Sequence, residues 1–283
     1  MLWFIFPLVL SCTTAKTAPP LQASTADSCE GGETITAVFS YIGYARNEDG
    51  IAWGFNLDDH VSEADDEEGC YRADLVDPLG NEGIDNGLAA LIPALEASEA
   101  VAVESLVQQS INTGNLIMMI EITGVDDWKN DDCVNVGIYR GQGTPLIGTD
   151  EVLLDGQSFQ RDLSLPHDIA ENLKIENGHI SAVPLEIFLP VQVLLADIDF
   201  NLSGGGIDIT LTDDGGMQGF FGGALPITAL TDITDLPEVN ISEAVVALIA
   251  SAADLYPNDD GTCEYLSVAF QYEAIPAHFY SLE

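Results

Sequence analysis

Positive charge is what this 283-residue chain has least of: 7 Lys and Arg stand against 47 Asp and Glu, a formal charge of −40. The cations (Lys16, Arg46, Arg72, Lys129, Arg140, Arg161 and Lys174) occur singly. With no basic patch to meet phosphates, nucleic acid is excluded as a partner. The same charge repels anionic lipid surfaces. Histidine is nearly as scarce: His60, His167, His179 and His278 stand far apart, and no H-E-x-x-H zinc motif occurs. A G-x-S-x-G nucleophile elbow is missing, and the glycine-rich stretches lack a P-loop lysine. No repeat of solenoid or propeller length is evident. The apolar run that opens the chain, Met1–Ser11, is about half of the roughly 20 residues a membrane helix requires.

That short run fits a secretory h-region instead. Val9-Leu10-Ser11-Cys12 resembles the lipobox of bacterial lipoproteins, in which a small residue precedes the cysteine that takes the lipid. Behind it, "CTTAKTAPPLQASTADS" is small, polar and rich in Thr, Ser and Pro, the composition of a tether that buries no core. Only the amine of Met1 supplies charge ahead of the apolar run, where the lipoprotein pattern has Lys or Arg. The expected division is a signal peptide over 1–11, a lipid-anchored tether over 12–32 and one globular domain over 33–283. Thr13, rather than Asp, after the lipid cysteine implies, by resemblance to Gram-negative sorting, the outer membrane.

What is present in abundance is apolar: 47% of the residues, enough for a substantial core despite the charge. The acid excess reads as a solvated surface suited to a salty habitat, with divalent cations as a second use for some carboxylates. Once Cys12 is assigned to lipid, Cys29, Cys70, Cys133 and Cys263 remain. An even number in an exported chain predicts two disulfides, with the connectivity open.

Along the chain, "ETITAVFSYIGYARNEDGIAWGFNLDD" reads as a β-hairpin turning at Asp49-Gly50. A polar, Gly/Pro-broken loop follows. "LAALIPALEASEAVAVESLVQQSI" has helical periodicity, with Pro93 in its first turn or at a kink. "NLIMMIEITGV" and "CVNVGIYRG" read as strands, and 141–178 as turn-rich with short strands at most. From Ile180 onward three antiparallel strands are expected, with "SGGG" and "DDGG" as their turns. "NISEAVVALIASAADLYP" reads as a second helix, capped by Asn240 or Ser242 and stopped by Pro257. "CEYLSVAFQYEAIPAHF" reads as a last strand. The sum is a β-rich α+β domain, a sandwich-like or curved antiparallel sheet with two packed helices.

The order of the acidic loop with Cys70, "GIDNGLAALIPAL", "TGVDDWKNDDCVNV", "GTPLIG", "GGMQGFFGGALPI" and "NDDGTCEYLSVAF" resembles a group of secreted lipoproteins of myxobacteria-like bacteria. The resemblance spans most of the chain after the tether. It implies a lipid-anchored extracytoplasmic protein and carries no known activity, so it transfers no catalytic residue.

Calcium is the one chemistry with local support, because hard cations want six to eight oxygens from carboxylates, amides and turn carbonyls. "FNLDD" offers Asn56 and Asp58, and "VDPLGNEGIDN" offers Asp77 and Asp85 around glycines that permit sharp turns. The spacing is not that of an EF-hand. The plain alternative is that such residues cap turns and helices, Asp85 or Asn86 being placed to cap the helix that follows. The functional expectation is a structural or binding protein stabilised by calcium. The alternative is a hydrolase of extracellular polymers using a carboxylate pair.

Overall fold

A computed structural model describes residue 29 and residues 31–67, 69–97, 103–193, 196–229 and 243–281. The signal segment 1–11, Cys12, the tether up to residue 28 and the cap candidates Asn240 and Ser242 lie outside the described residues. The strands are β1 (Glu33–Tyr44), β2 (Met118–Val125), β3 (Asn130–Gln142), β4 (Gln157–Arg161), β5 (Asp168–Glu176), β6 (His179–Ala182), β7 (Ile187–Val193), β8 (Ala196–Leu211), β9 (Met217–Pro226), β10 (Leu255–Pro257) and β11 (Cys263–Tyr280). The helices described are α1 (Gly87–Ala97), α2 (Val103–Thr113) and α3 (Glu243–Ala250).

The expected sandwich with packed helices is wrong. The protein is 49% strand and 12% helix, and its centre is a closed 8-strand antiparallel barrel. The staves follow chain order, β1-β2-β3-β5-β6-β8-β9-β11, each antiparallel to the next. Closure is made by β11, which pairs with β9 over Tyr265–Ala274 along one edge and with β1 over Phe270–Pro276 along the other. No stave is left with an open edge along the circle, which removes a template for edge-to-edge aggregation. The helices belong to the connections, where α2 contacts β1 and α1 contacts β11.

Register decides what faces inward, because side chains alternate between the two faces of a strand. Ile120 lies opposite Ala37 and Ile138, Ile207 opposite Ala182 and Phe221, and Ile209 opposite Ile180, all buried. Phe39, Phe221 and Tyr272 fill the middle, with ring centroids 4.7 to 6.1 Å apart. The Tyr272 hydroxyl donates to the Asp208 carbonyl at 3.1 Å, so even the polar tip of this ring is satisfied. The outward positions Glu171, Glu176, His179 and Ser181 are exposed. On β5 and β6 this apolar-in, polar-out pattern is the reverse of a lipid-spanning barrel. No described helix is long and apolar enough to cross a membrane.

Four readings of the sequence change here. The strand β1 does not fold back at Asp49-Gly50; its partners are β2 and β11, and only an isolated bridge, Glu48–Ile51, forms at that turn. "SGGG" is not a turn, because β8 runs straight through it: a Cβ on Gly205 would strike the Gly222 carbonyl, and one on Gly206 the Ala182 carbonyl. Those glycines permit close backbone approach at a bulge between Ser203 and Gly206. The turn-rich 141–178 contains a full stave, β5. The second helix does not run on to Pro257, because α3 ends at Ala250 and Leu255–Pro257 form β10; Pro93 takes the interior of the two positions expected for it in α1.

One end of the barrel is closed by short connections: 126–129 between β2 and β3, 177–178 between β5 and β6, and 212–216 between β8 and β9. Asn177 and Gly178 both have positive φ (55° and 80°), as a tight two-residue hairpin with the twist of its strands requires. The Gly178 amide donates to the Lys129 carbonyl, locking two of these turns together. The long connections leave from the other end. One carries β4, whose Phe159 is buried beside Phe279 of β11. There Arg161 bonds Glu121 and lies 4.5 Å over the Tyr139 ring.

Candidate functional site

The residues singled out as ligands all fall in the connection between β1 and α1, which forms a layer over the outer wall of β9 and β11. Aromatic contact fixes the layer: Trp53 stacks on Phe220 at 5.1 Å and Phe55 lies 4.9 Å from it. Arg46 ties it to the helices through Glu96 and Glu104, at 2.8 and 2.6 Å. The disulfide Cys70–Cys263 fastens it covalently to the start of β11, and Cys29–Cys133 fastens the chain's entry to β3, with Cα separations of 6.0 and 5.2 Å. Both expected disulfides are present, and the open connectivity is resolved as these two pairs.

Three consecutive residues stitch the layer to the barrel. Asp85 accepts the Leu57 amide at 2.6 Å. Asn86 caps α1 by accepting the Ala89 amide at 3.1 Å, while its own amide donates to the carbonyls of Ala45 and Trp53. Gly87 donates its amide to the Ser267 hydroxyl at 2.6 Å, and that hydroxyl donates to the Asp254 carboxylate. The Ser267 amide also reaches Asp254, at 2.7 Å. Position 87 must be glycine for this approach, since a Cβ there would lie 2.6 Å from Asp254 Oδ2.

Burial dominates the electrostatics. Asp85 and Asp254 are 4% and 7% exposed, and desolvation pushes their carboxyls up to about 8 and about 6. The charges of Asp58 and Asp74 add to the effect on Asp85, and that of Asp74 to the effect on Asp254. Asp74, which accepts the Ser62 amide at 2.6 Å, is itself raised by burial. Tyr256 of β10, raised by burial and by the nearby carboxylates, donates to the Leu57 carbonyl at 3.3 Å.

Of the four candidate ligands, Asp85 meets the Leu57 amide between Asn56 and Asp58, while those two side chains bond His60 and Asp77 sits in a turn of its own. Asp77 accepts the amides of Leu79 and Asn81, both at 2.8 Å, and the Asn81 side chain at 2.7 Å. Asn56 donates to the His60 carbonyl at 2.9 Å, and Asp58 accepts the His60 amide at 2.9 Å. Among the described residues no three His, Cys, Asp or Glu side chains converge as a metal would require. Asp254 and Ser267 were not anticipated. The signal was an acid inside an apolar run, "ASAADLYP", which needs a buried donor to be tolerated. A carboxylate pair for hydrolysis needs a cleft on which substrate can lie, and the two buried carboxyls here are walled in by the layer itself.

No family model, curated protein or solved structure matches the chain.

Proposed function

We propose that the chain is a lipid-anchored extracytoplasmic protein with a structural or binding role, carried on Cys12 at the outer membrane. The observation that carries the reading is the pair of disulfides, Cys29–Cys133 and Cys70–Cys263. Such bonds form and persist in oxidising compartments. The lipobox-like Val9–Cys12 and the polar tether behind it supply the address. The packed barrel interior favours a scaffold whose outer layers meet partners over an enzyme with an internal ligand cavity. Calcium, within this reading, is a stabiliser of the β1–α1 layer, with Asn56, Asp58, Asp77 and Asp85 as its candidate ligands. Expression in a Gram-negative host with detergent phase partition tests the anchor. The wild type is expected in the detergent phase and Cys12→Ser in the aqueous phase. An intact mass with Met1 retained and Cys12 unmodified would overturn it.

A further inference from the structure

The chain enters the barrel beside its closed end. Cys29 is bonded to Cys133 just after the β2–β3 turn, and Gly32 packs so tightly on Gly124 and Val125 that a Cβ there would lie 2.6 Å from the Gly124 carbonyl carbon. The entry point is therefore fixed to the barrel and does not swing. At the same end stand the β2–β3 turn with Trp128, the β5–β6 turn and the β8–β9 turn. The far end of the longest stave is the β10–β11 turn, where Asn258 ties Thr262 across Asp260.

Resting on the lipid-anchor reading above, we propose that the closed end of the barrel is its lipid-facing surface, and that neutral rather than anionic headgroups are its partner. About 17 residues separate Cys12 from Cys29, which for a flexible chain is an r.m.s. reach of roughly 23 Å. The stretch of β11 up to its last barrel pairing, Cys263–Pro276, spans roughly 35 Å along a barrel of ordinary tilt. An inverted barrel would require the tether to span about one and a half times that reach, whereas an upright one does not. The polarity of the headgroup follows from charge. Asp126, Asp127, Asp132, Asp213 and Asp214 lie in or beside these turns, against two cations: Lys129, whose ammonium lies 4.8 Å over the Trp128 ring, and Lys174, which bonds Asp132 at 3.0 Å. An anionic surface repels this end at low salt, and added salt screens the repulsion. Trp128, 38% exposed, is the side chain there suited to an interface between water and lipid.

The tryptophans supply the ruler. Full chain lacking the leader, coupled through Cys12 to a maleimide lipid, is placed on phosphatidylcholine vesicles containing dansyl-lipid. Energy transfer is read from Trp128 and from a Trp128→Phe/Asp260→Trp variant. The Trp128→Phe single variant supplies the Trp53 background. Transfer from Trp128 is expected to exceed that from position 260 several-fold. In vesicles with phosphatidylglycerol at low salt the Trp128 signal is expected to fall, and salt to restore it. Equal transfer from the two positions, or greater transfer from position 260, overturns the orientation. A Trp128 signal indifferent to phosphatidylglycerol overturns the headgroup preference. Because the lipid is attached chemically, these results stand apart from biological acylation, which detergent partition reads separately.

Discussion

Adjacent phenylalanines on β9 should behave as residues of different parts of the molecule. Phe221 is fully buried inside the barrel, against Phe39 at 5.7 Å, Phe270 at 5.4 Å and Tyr272 at 6.1 Å. Phe220 points the other way, into Trp53 and Phe55 of the outer layer. Truncating a buried Phe to Ala costs about 3–5 kcal/mol, and the value depends on how far the surroundings can collapse into the space. The barrel wall is hydrogen-bonded on every side and cannot close on the cavity, so Phe221→Ala should fall in the upper half, about 4–5 kcal/mol. At about 2–4 °C per kcal/mol for a domain of this size, the melting temperature should drop by about 10 °C or more. Phe220→Ala faces a connection that can settle inward, and should cost about 2 kcal/mol. Denaturant titration gives the two free energies, and hydrogen exchange locates the losses. Phe221→Ala should raise exchange throughout the staves, while Phe220→Ala should raise it in 50–60 and leave 118–124 protected. Equal costs, or the larger cost at Phe220, would refute the inward and outward assignment of β9.

Three further outcomes are expected. Thiol titration of denatured, unreduced protein lacking Cys12 should find no free thiol; the bonds span 104 and 193 residues of sequence, so removing either should cost up to about 5 kcal/mol in the chain-entropy limit. Burial raises Asp254 to about 6 and Asp85 to about 8, so the stability each contributes is complete in acid and is lost as pH rises through those values; the Asp254 loss has an upper limit of about 3 kcal/mol, and Asp254→Asn should lessen the slope of a pH–stability curve up to about pH 6 while leaving the Asp85 part, as read by chemical denaturation. If Asn56, Asp58, Asp77 and Asp85 hold calcium, melting in about 1 mM calcium should lie several degrees above melting in about 1 mM magnesium at high background salt, and Asp58→Asn should erase the difference; superimposable melts would remove calcium from the account.

Much of the secondary structure was legible because the periods were strong. Val134, Val136 and Ile138 alternate cleanly, and they occupy one face of β3. Closure was not legible, since it depends on Tyr272 finding Ile42 and Ile120 finding Ala37, pairings between distant segments whose local patterns suit a sandwich equally well. The strand β5 escaped because its inward residues Ala170 and Ile175 fall out of simple alternation, where bulges shift the register against β3. "SGGG" misled because glycine marks turns and close approaches alike. At the candidate site the acids were visible but not their burial, which comes from Trp53, Phe55 and the wall beneath them. Asn86 was read as one of two cap candidates, and the structure selects it over Asp85.

The pairing of β1 with β11 has a consequence for biogenesis. The first stave and the last are each other's neighbours, separated by most of the polypeptide, so the circle has no stable partial version. A nascent chain short of its final segment holds β1 and β9 with an unsatisfied edge each, and neither Cys70 nor the edge of β9 has yet met its counterpart. Such a chain stays open until the 18 residues of β11 have been made. Contacts of such sequence separation also form slowly, which lengthens that window. The same geometry that seals the finished molecule thus keeps the unfinished one open, and C-terminal truncation should yield aggregates rather than a smaller barrel.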